Sequence, residues 1–597
     1  MPPTYPSAIT PDSMLFELTA LLLLVGMTTV GLAWPLATRL ALAPAEKFVV
    51  SAILSLLGVF LLGWLTYAAA LPATTLWLAP VLAVSGLFFN RRSLAATILD
   101  PTVRALLLAQ LLVTAWCLGW LSLVASYSGG GWAADWFEHW ERARFFLEHG
   151  PLDQRFLGSY ALPARPPLAN IVTATFLALT HIDFAHYQII STFLASLAFL
   201  PAALLARRFH LRPGFDGPPA RPETSALVIA LLAVFFAVNP LFVQNATFAW
   251  TKLPAAACVL LAFYFFLRAH DPAPPRAAPV LFAVSLATAL LAHYSAGPAA
   301  VVLSSAWLFL GWSRRRDAAW WRSTLTAALV GALILAPWFA WSLAHYGAAG
   351  TFLSNSSVQS PDARSGNQLL KILLNLRDTL VPHFLRPLDD ALITQRNSWG
   401  AARDFFFQLY QLNLPLAFGS VAVFALAREA CRAARTNSPA GRRGWTLALA
   451  ALVLLSVAVQ GERDHWGLTQ ICLQSLVLLG LAFLAARWPI LTRRWRLALI
   501  IGATFDFLAG IALHFAAQNF ALDRWFAPAG TDPAATYTGY NAAALMNLAA
   551  KLQHHLTFVA DRSPQPPTVI FVNLTALLVF LITRVRIAAR SAPPPPR

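Results

Sequence analysis

The sequence is poor in charge. Of its 597 residues only 12% are Asp, Glu, Lys or Arg, about half the ~25% of a soluble domain. That excludes an ordinary soluble protein. It also excludes a disordered chain, which needs low hydrophobicity and high charge. Cysteine is scarce too. Cys117, Cys258 and Cys472 lie within apolar blocks and Cys431 at the end of one, so neither a disulfide framework nor a Cys-based zinc site fits. No P-loop, G-x-G-x-x-G turn, H-E-x-x-H or G-x-S-x-G elbow occurs, which argues against a nucleotide-driven pump. There is no internal repeat and no heptad pattern. The start of the chain has no basic n-region and no A-x-A site, so residues 14–34 read as a retained helix and not as a cleaved signal.

What is present is apolar. Hydrophobic residues make up 58% of the chain and mean hydropathy is +0.61. They fall in long blocks such as Leu18–Leu32 and Ala327–Ala336 with their flanks. Blocks of ~20 apolar residues cross a ~30 Å hydrocarbon core as helices, whereas a β-barrel would show ~10-residue alternating segments. The fold class is therefore an all-α polytopic membrane protein. About 15 spans are expected, near 14–34, 48–68, 73–89, 104–127, 184–206, 224–239, 251–268, 278–294, 296–312, 322–343, 409–429, 443–460, 467–486, 495–515 and 567–585.

Lys and Arg number 43 against 26 Asp and Glu, a net +17. In a soluble protein this excess would suggest nucleic acid. Here it sits in short breaks between apolar blocks, which is the positive-inside pattern. The breaks around Arg39/Lys47, Arg91/Arg92/Arg104, Arg207/Arg208/Arg212, Arg268/Arg276, Arg314–Arg316, Arg428–Arg443, Arg487–Arg496 and Arg584–Arg590 all fall on one side if the N-terminus is outside and the C-terminus cytoplasmic. The regularity holds only if 166–181 does not span, so that segment is expected as a helix lying on the outer interface. Outer stretches are then 128–183, 344–408 and 516–566, where the functional polar surface should lie. The Pro-rich stretches 213–223 and 271–279 read as inner linkers, and the Pro-rich tail Ala592–Arg597 as a disordered inner end.

The first outer stretch is the most informative. It reads GGGWAADWFEHWERARFFLEHG. Three glycines release the chain, and Asp135 can cap the helix that follows. Trp136, Trp140, Ala143 and Leu147 make an apolar stripe, with Asp135, Glu138, Arg142 and His149 opposite. Such a helix is expected in the headgroup region, and Glu138 is expected to pair with Arg142 at i,i+4. Next comes Leu162-Pro163-Ala164-Arg165-Pro166-Pro167-Leu168, then a span ending in the basic pair Arg207-Arg208.

This order resembles the GT-C superfamily of membrane glycosyltransferases, in the branch of protein O-mannosyltransferases, lipid A aminoarabinose transferases and RgtA/B/C/D-like proteins. In that branch the first large periplasmic loop carries an acidic motif followed by a Lys/Arg-Pro-Pro-Leu-like stretch. Asp135 matches the acid, and Arg165-Pro166-Pro167-Leu168 the basic-proline part. Asn239-Pro240 to Thr251-Lys252 and Leu291-Ala292-His293-Tyr294-Ser295 match polar outer turns of the family. The resemblance covers roughly 104–343. Two features depart from it: Glu138 stands three residues after Asp135 instead of beside it, and three extra spans precede the motif loop. The organisation is then 1–103, extra spans; 104–343, a GT-C-like catalytic core with outer loop 128–183; 344–408, an outer loop; and 409–597, further spans with outer loop 516–566.

The resemblance implies transfer of a sugar from a polyprenyl-phosphate-linked donor to a glycan, lipid or protein acceptor on the outer, periplasmic face of a bacterial inner membrane, with inversion. Membrane lipids are the surroundings and nucleic acid is no partner. The residues suit that chemistry. A carboxylate within hydrogen-bond reach of the acceptor hydroxyl serves as general base, for a gain of ~10²–10⁴; Asp135 is the candidate. A leaving lipid phosphate needs cations. Arg165 offers a planar fork, with Lys252 and His293 as further phosphate contacts and Glu138, Arg142 and Arg463 in support. The plainer roles are a snorkelling arginine or lysine, a satisfied core histidine, and a salt-bridged turn for Glu462-Arg463-Asp464. No cofactor is expected. Some GT-C enzymes use a divalent metal, but none is favoured here, and His181 and His186 are read as a plain turn. Two other readings differ in where the site lies. An O-antigen polymerase or ligase would use arginines and a histidine of 344–408. A transporter would show intramembrane charges and inverted repeats.

Overall fold

The computed structural model describes residues 11–123, 135–156, 160–182, 184–211, 224–354, 367–380, 439–459, 469–520 and 566–590. Among these there is no strand, only an isolated bridge between Phe156 and Tyr160. The helices run α1 Pro11–Gly31, α2 Trp34–Arg39, α3 Pro44–Ala68, α4 Leu78–Phe89, α5 Arg91–Leu99, α6 Pro101–Leu121, α7 Asp135–Glu148, α8 Leu168–Leu179, α9 Phe184–Ser196 and α10 Phe199–Leu211. They continue as α11 Ser225–Ala237, α12 Pro240–Thr247, α13 Lys252–Ala269, α14 Ala278–Ala292, α15 Gly297–Gly311 and α16 Ala318–Phe352. The later ones are α17 Gln368–Leu380, α18 Pro439–Ala458, α19 Thr469–Arg487, α20 Arg493–Asp506, α21 Leu513–Phe520 and α22 Pro566–Arg590, with a π-helical turn Phe507–Ala512 joining α20 to α21.

Among the described residues nine helices are long and apolar enough to cross a membrane, or up to eleven if each of two bent pairs is one span. The expected segment 73–89 continues into α5 through a 77° bend, and 224–239 into α12 through a 68° bend. The second bend has a local cause. Pro240 disfavours helical backbone at Asn239, which is extended (φ −91, ψ 114) and caps the Phe242 amide with its side chain at 3.0 Å. Residues 344–352, expected in an outer loop, continue α16, which is broken at Gly347 (φ +67). The expected span 409–429, Arg463, Cys431 and most of 516–566 lie outside the described residues.

Caps set helix starts. Asp100 accepts from the amides of Thr102 and Val103 at 2.8 and 3.0 Å, with Pro101 in the first turn of α6. Glu46 reaches back to the Ala43 amide at 2.8 Å to start α3. Its other oxygen accepts from Tyr264 Oη at 2.6 Å and Arg268 Nε at 2.7 Å on α13. Arg268 and Arg208 share Asp271, at 2.6 and 2.7 Å. The basic breaks around Lys47, Arg208 and Arg268 therefore meet at one end of the bundle, as the positive-inside pattern requires. Lys252 is at the other end of α13, about 24 Å from Arg268 along the axis at 1.5 Å per residue.

Two expectations about the first outer stretch are corrected. Helix α8 does not lie on an interface: all its residues but Ala178 are buried, packed against α3, α7, α9 and α14. Nor is the polar side of α7 solvated. Glu138, His139 and Arg142 are buried, and the outward edge is Glu141, Arg144 and Glu148. Arg144 and Glu148 form an exposed i,i+4 pair. The polar side can turn inward because Arg142 finds a charged partner and two carbonyls there, and buried charge is tolerated when paired and hydrogen-bonded.

Candidate functional site

Helix α7 and the stretch after it build the site. Arg142 is fully buried. Its Nε and Nη2 donate to Glu138 Oε1 at 2.9 and 2.7 Å, its Nη1 to the Leu162 carbonyl at 2.6 Å, and its Nη2 also to Ala161 at 3.1 Å. The guanidinium lies 4.3 Å from the Phe156 ring centroid. So the i,i+4 pair expected from the spacing forms, and it does more than stabilise a helix. It anchors the segment that carries Arg165.

Arg165 follows the short 3₁₀ turn Leu162–Ala164 in extended backbone, a conformation favoured before Pro166. Its Nη2 stands 3.3 Å from Glu138 Oε2, and its guanidinium lies 5.2 Å from the Tyr160 ring centroid. Glu138 Oε2 makes no hydrogen bond: Arg165 is near enough for an ion pair but not aligned to donate. Burial alone would raise the Glu138 carboxyl. The Arg165 and Arg142 guanidiniums, with His139, outweigh that and hold it below the usual carboxylate range.

His139 sits one position on. Its Nδ1 pairs with Asn170 Oδ1 of α8 at 3.1 Å, and an amide oxygen can only accept, so Nδ1 donates. Burial, reinforced by Arg165 and Arg142 against the opposing pull of Glu138, pushes its pKa down to about 3. The ring is thus neutral, and Nε2 is left as an acceptor.

The second half of the site comes from α13 and α14. Ala249 has φ +57, left-handed backbone that is unusual for a residue with a Cβ. The turn it makes presents Trp250, Thr251 and Lys252. Lys252 Nζ lies 3.3 Å from the Trp250 ring centroid, a cation–π contact. His293 ends α14 and accepts from its own loop, the Ser295 amide donating to Nδ1 at 3.0 Å. That leaves Nε2–H as a donor. Tyr294 donates to the Pro163 carbonyl at 3.1 Å, tying this turn to the Arg165 segment. His293 lies within electrostatic reach of Arg165, Lys252 and His139.

The structure therefore brings together Glu138, Arg142, Arg165, Lys252 and His293, from three separate stretches of chain. Asp135 opens α7 about one turn before Glu138; its side chain lies outside the described residues. Arg463 lies outside them as well. The sequence places His139 at the edge of the polar face of α7 and Thr251 in the turn before Lys252, but assigns no functional role to His139, Asn170, Trp250 or Thr251. Trp250-Thr251 directly before Lys252 was the available signal for two of them. A small cavity of about 10 Å³, room for one water, lies beside His139 and is lined by His139, Asn170, Thr173, Tyr187, Ser191 and Thr251 among others. Thr251 Oγ1 is buried there without a hydrogen-bond partner.

His181 and His186 both face Glu17, at 3.6 and 3.3 Å. Among the described residues no group of three or more His, Cys, Asp or Glu side chains is arranged to hold a metal ion.

No family model and no curated protein matches the chain. Among solved structures it is similar to ArnT from Cupriavidus metallidurans bound to undecaprenyl phosphate, at 15% identity and a TM-score of 0.42, over 81% of this chain and 77% of that one. It is also similar to the same protein in the apo state, at 15% identity and a TM-score of 0.41, over 78% of this chain and 74% of that one.

Proposed function

We propose that the protein is a GT-C-type membrane glycosyltransferase. It takes a sugar from a polyprenyl-phosphate-linked donor and passes it to an acceptor on the outer face of a bacterial inner membrane. One observation carries the reading. The buried Lys252 and the partly buried Arg165 and His293, far apart in sequence, converge at the end of α13 away from the basic breaks. Two cations with an N–H donor beside them suit a phosphate, whose oxygens can accept from all three.

The chemistry follows from that placement. The phosphate of the donor lies against Arg165 and Lys252. An acceptor hydroxyl attacks the anomeric carbon from the opposite face. The new C–O bond forms as the bond from the anomeric carbon to the phosphate oxygen breaks, and the electron pair leaves with the lipid phosphate. Asp135, on the first turn of α7, takes the hydroxyl proton. A single displacement inverts the anomeric centre. Glu138 and Arg142 position Arg165.

Mass spectrometry of envelope lipids and glycans tests the reading. Cells lacking the gene should lose one sugar from a glycan, lipid or protein and accumulate its polyprenyl-phosphate donor. Wild type should restore it, whereas Arg165→Ala and Asp135→Asn, at matched membrane levels, should fall by 10²-fold or more, roughly the range for a lost electrostatic or proton-transfer group. Full restoration by both variants would overturn the assignment and move attention to the arginines of 344–408.

A further inference from the structure

The turn between α15 and α16 combines charge with indole. Residues 312–322 read WSRRRDAAWWR, four arginines and three tryptophans against one carboxylate. The turn is held in place. Gly311 has no side chain, and the Trp320 ring fills the space where a Cβ would stand. Trp307 Nε1 donates to Thr324 Oγ1 at 3.1 Å, closing α15 on α16. Trp321 Nε1 donates to the Arg315 carbonyl at 2.8 Å. Asp317 accepts from the Ala319 amide at 2.8 Å and from Arg314 at 2.9 Å, so the one acid is used within the turn. Arg315, Arg316 and Arg322 remain, all exposed and, among the described residues, without a carboxylate partner.

The surroundings decide what these cations meet. The turn joins two helices long and apolar enough to cross a membrane, Tyr294–Arg314 and Ala318–Phe352, so it stands at a membrane–water boundary whichever way the chain is inserted. Only 33% and 22% of their apolar windows are buried, against 94% for Phe184–Leu211, so this pair faces lipid at the edge of the bundle. Trp321, Leu325, Leu329 and Leu333 are exposed at i,i+4 spacing and make one apolar stripe. From Arg322 to Leu333 it runs about 16 Å along the axis, the depth of one leaflet of a ~30 Å hydrocarbon core. Positive-inside sorting needs only the charges; it needs neither a turn held this way nor the stripe beneath it. Cations at the boundary above an apolar strip one leaflet deep complement a lipid with an anionic headgroup.

We propose that the α15–α16 turn binds one anionic glycerophospholipid, its phosphate held by Arg315, Arg316 and Arg322 and its acyl chains along the stripe. The exposed Trp312 and Trp321 lie at headgroup level, as tryptophans do at membrane interfaces. The Trp307 ring is 5.4 Å from that of His270, which places the turn at the Arg268 end of α13, opposite Lys252. The site is therefore separate from the Arg165 corner and does not rest on the transferase reading.

The test titrates the full-length protein in detergent with phosphatidylglycerol or phosphatidylcholine of identical chains and counts bound lipids by native mass spectrometry. Wild type should bind its first phosphatidylglycerol about 10²-fold more tightly than phosphatidylcholine, from roughly fivefold per arginine. R315Q/R316Q/R322Q should lose that preference. R91Q/R92Q/R104Q, which removes three exposed arginines from another basic break, should keep most of it. Equal affinity of wild type for the two lipids would overturn the proposal. So would an equal loss in both triple variants, which would leave only general charge attraction. Two other occupants would also be seen, and either overturns the assignment. A dimer abolished by the turn variant would give this face to a second copy. A loss of undecaprenyl phosphate binding in the turn variant as large as that of phosphatidylglycerol would give it to the polyprenyl carrier. Should the triple variant not fold, R316Q and R322Q singly should each weaken phosphatidylglycerol binding about fivefold, and no loss in either would overturn the site.

Discussion

Arg142 is the residue on which the site's geometry depends. Removing one partner of a buried pair leaves the other charge uncompensated, which costs about 3–5 kcal/mol. Arg142→Met should therefore lower stability by about 3 kcal/mol, read as a reduced unfolding temperature in detergent. Glu138→Gln in the same chain should recover part of that loss by removing the stranded charge. His139 gives a pH dependence of definite sign. Its folded pKa, about 3, is far below the ordinary ~6.5 of the unfolded chain. As pH falls below ~6.5 the unfolded chain takes up a proton that the folded ring refuses, so the stability contributed above that pH is lost progressively toward pH 3. Glu138, with its folded pKa also depressed, adds a loss in the same direction at lower pH. Thermal unfolding of wild type should weaken from pH 7 to 5. His139→Gln should flatten that slope by up to about 1.4 kcal/mol per pH unit, one proton's worth. An unchanged slope would mean the ring is protonated in the native state.

At the scale of elements, α13 is the organising piece. Its first residue, Lys252, faces the candidate site, and its last turn carries Arg268 into the ion-pair cluster with Glu46 and Asp271. The turn that aims Lys252 depends on left-handed backbone at Ala249. A β-branched side chain is a true outlier there. Ala249→Val should cost about 1–3 kcal/mol and displace Trp250 and Lys252, while Ala249→Gly should be tolerated. Comparing unfolding temperatures and lipid-phosphate affinity of the two variants checks this: loss in both or in neither would mean the turn does not depend on backbone conformation. Helix α7 shows the limit of reading a helix by its own periodicity. Its tryptophan stripe was legible, and Trp140 does pack, against Phe184 and Tyr187. The pattern could not show that the opposite side is covered too, because that cover is α8 and the Ala161–Arg165 segment.

At the scale of the molecule, the helices before residue 104 share one core with those after it. Leu21, Phe48, Ile53 and Phe60 are in the same apolar cluster as Ile171, Phe236 and Leu260, and the Glu46 contacts bolt α3 to α13. Sidedness can be measured directly. Arg144 and Arg314 are both well exposed, and they fall on opposite sides in the positive-inside arrangement. Arg144→Cys should react with a membrane-impermeant maleimide on spheroplasts, and Arg314→Cys only after permeabilisation. The reverse result would place the candidate site in the cytoplasm.

Composition and order determined much by themselves. Low charge with ~20-residue apolar blocks leaves helices as the way to satisfy a backbone in lipid, and the expected segments 48–68, 251–268 and 278–294 match α3, α13 and α14 closely. The Glu138–Arg142 pair was legible because i,i+4 neighbours meet on any helix. Tertiary structure alone decided that this pair is buried, that Arg165 shares its carboxylate, and that Lys252, His293, His139 and Asn170 meet there. The physical reason is that periodicity reports how one helix divides into faces. Which faces are covered depends on packing between segments tens to hundreds of residues apart, and a polar face buries only when its partners arrive from elsewhere in the chain.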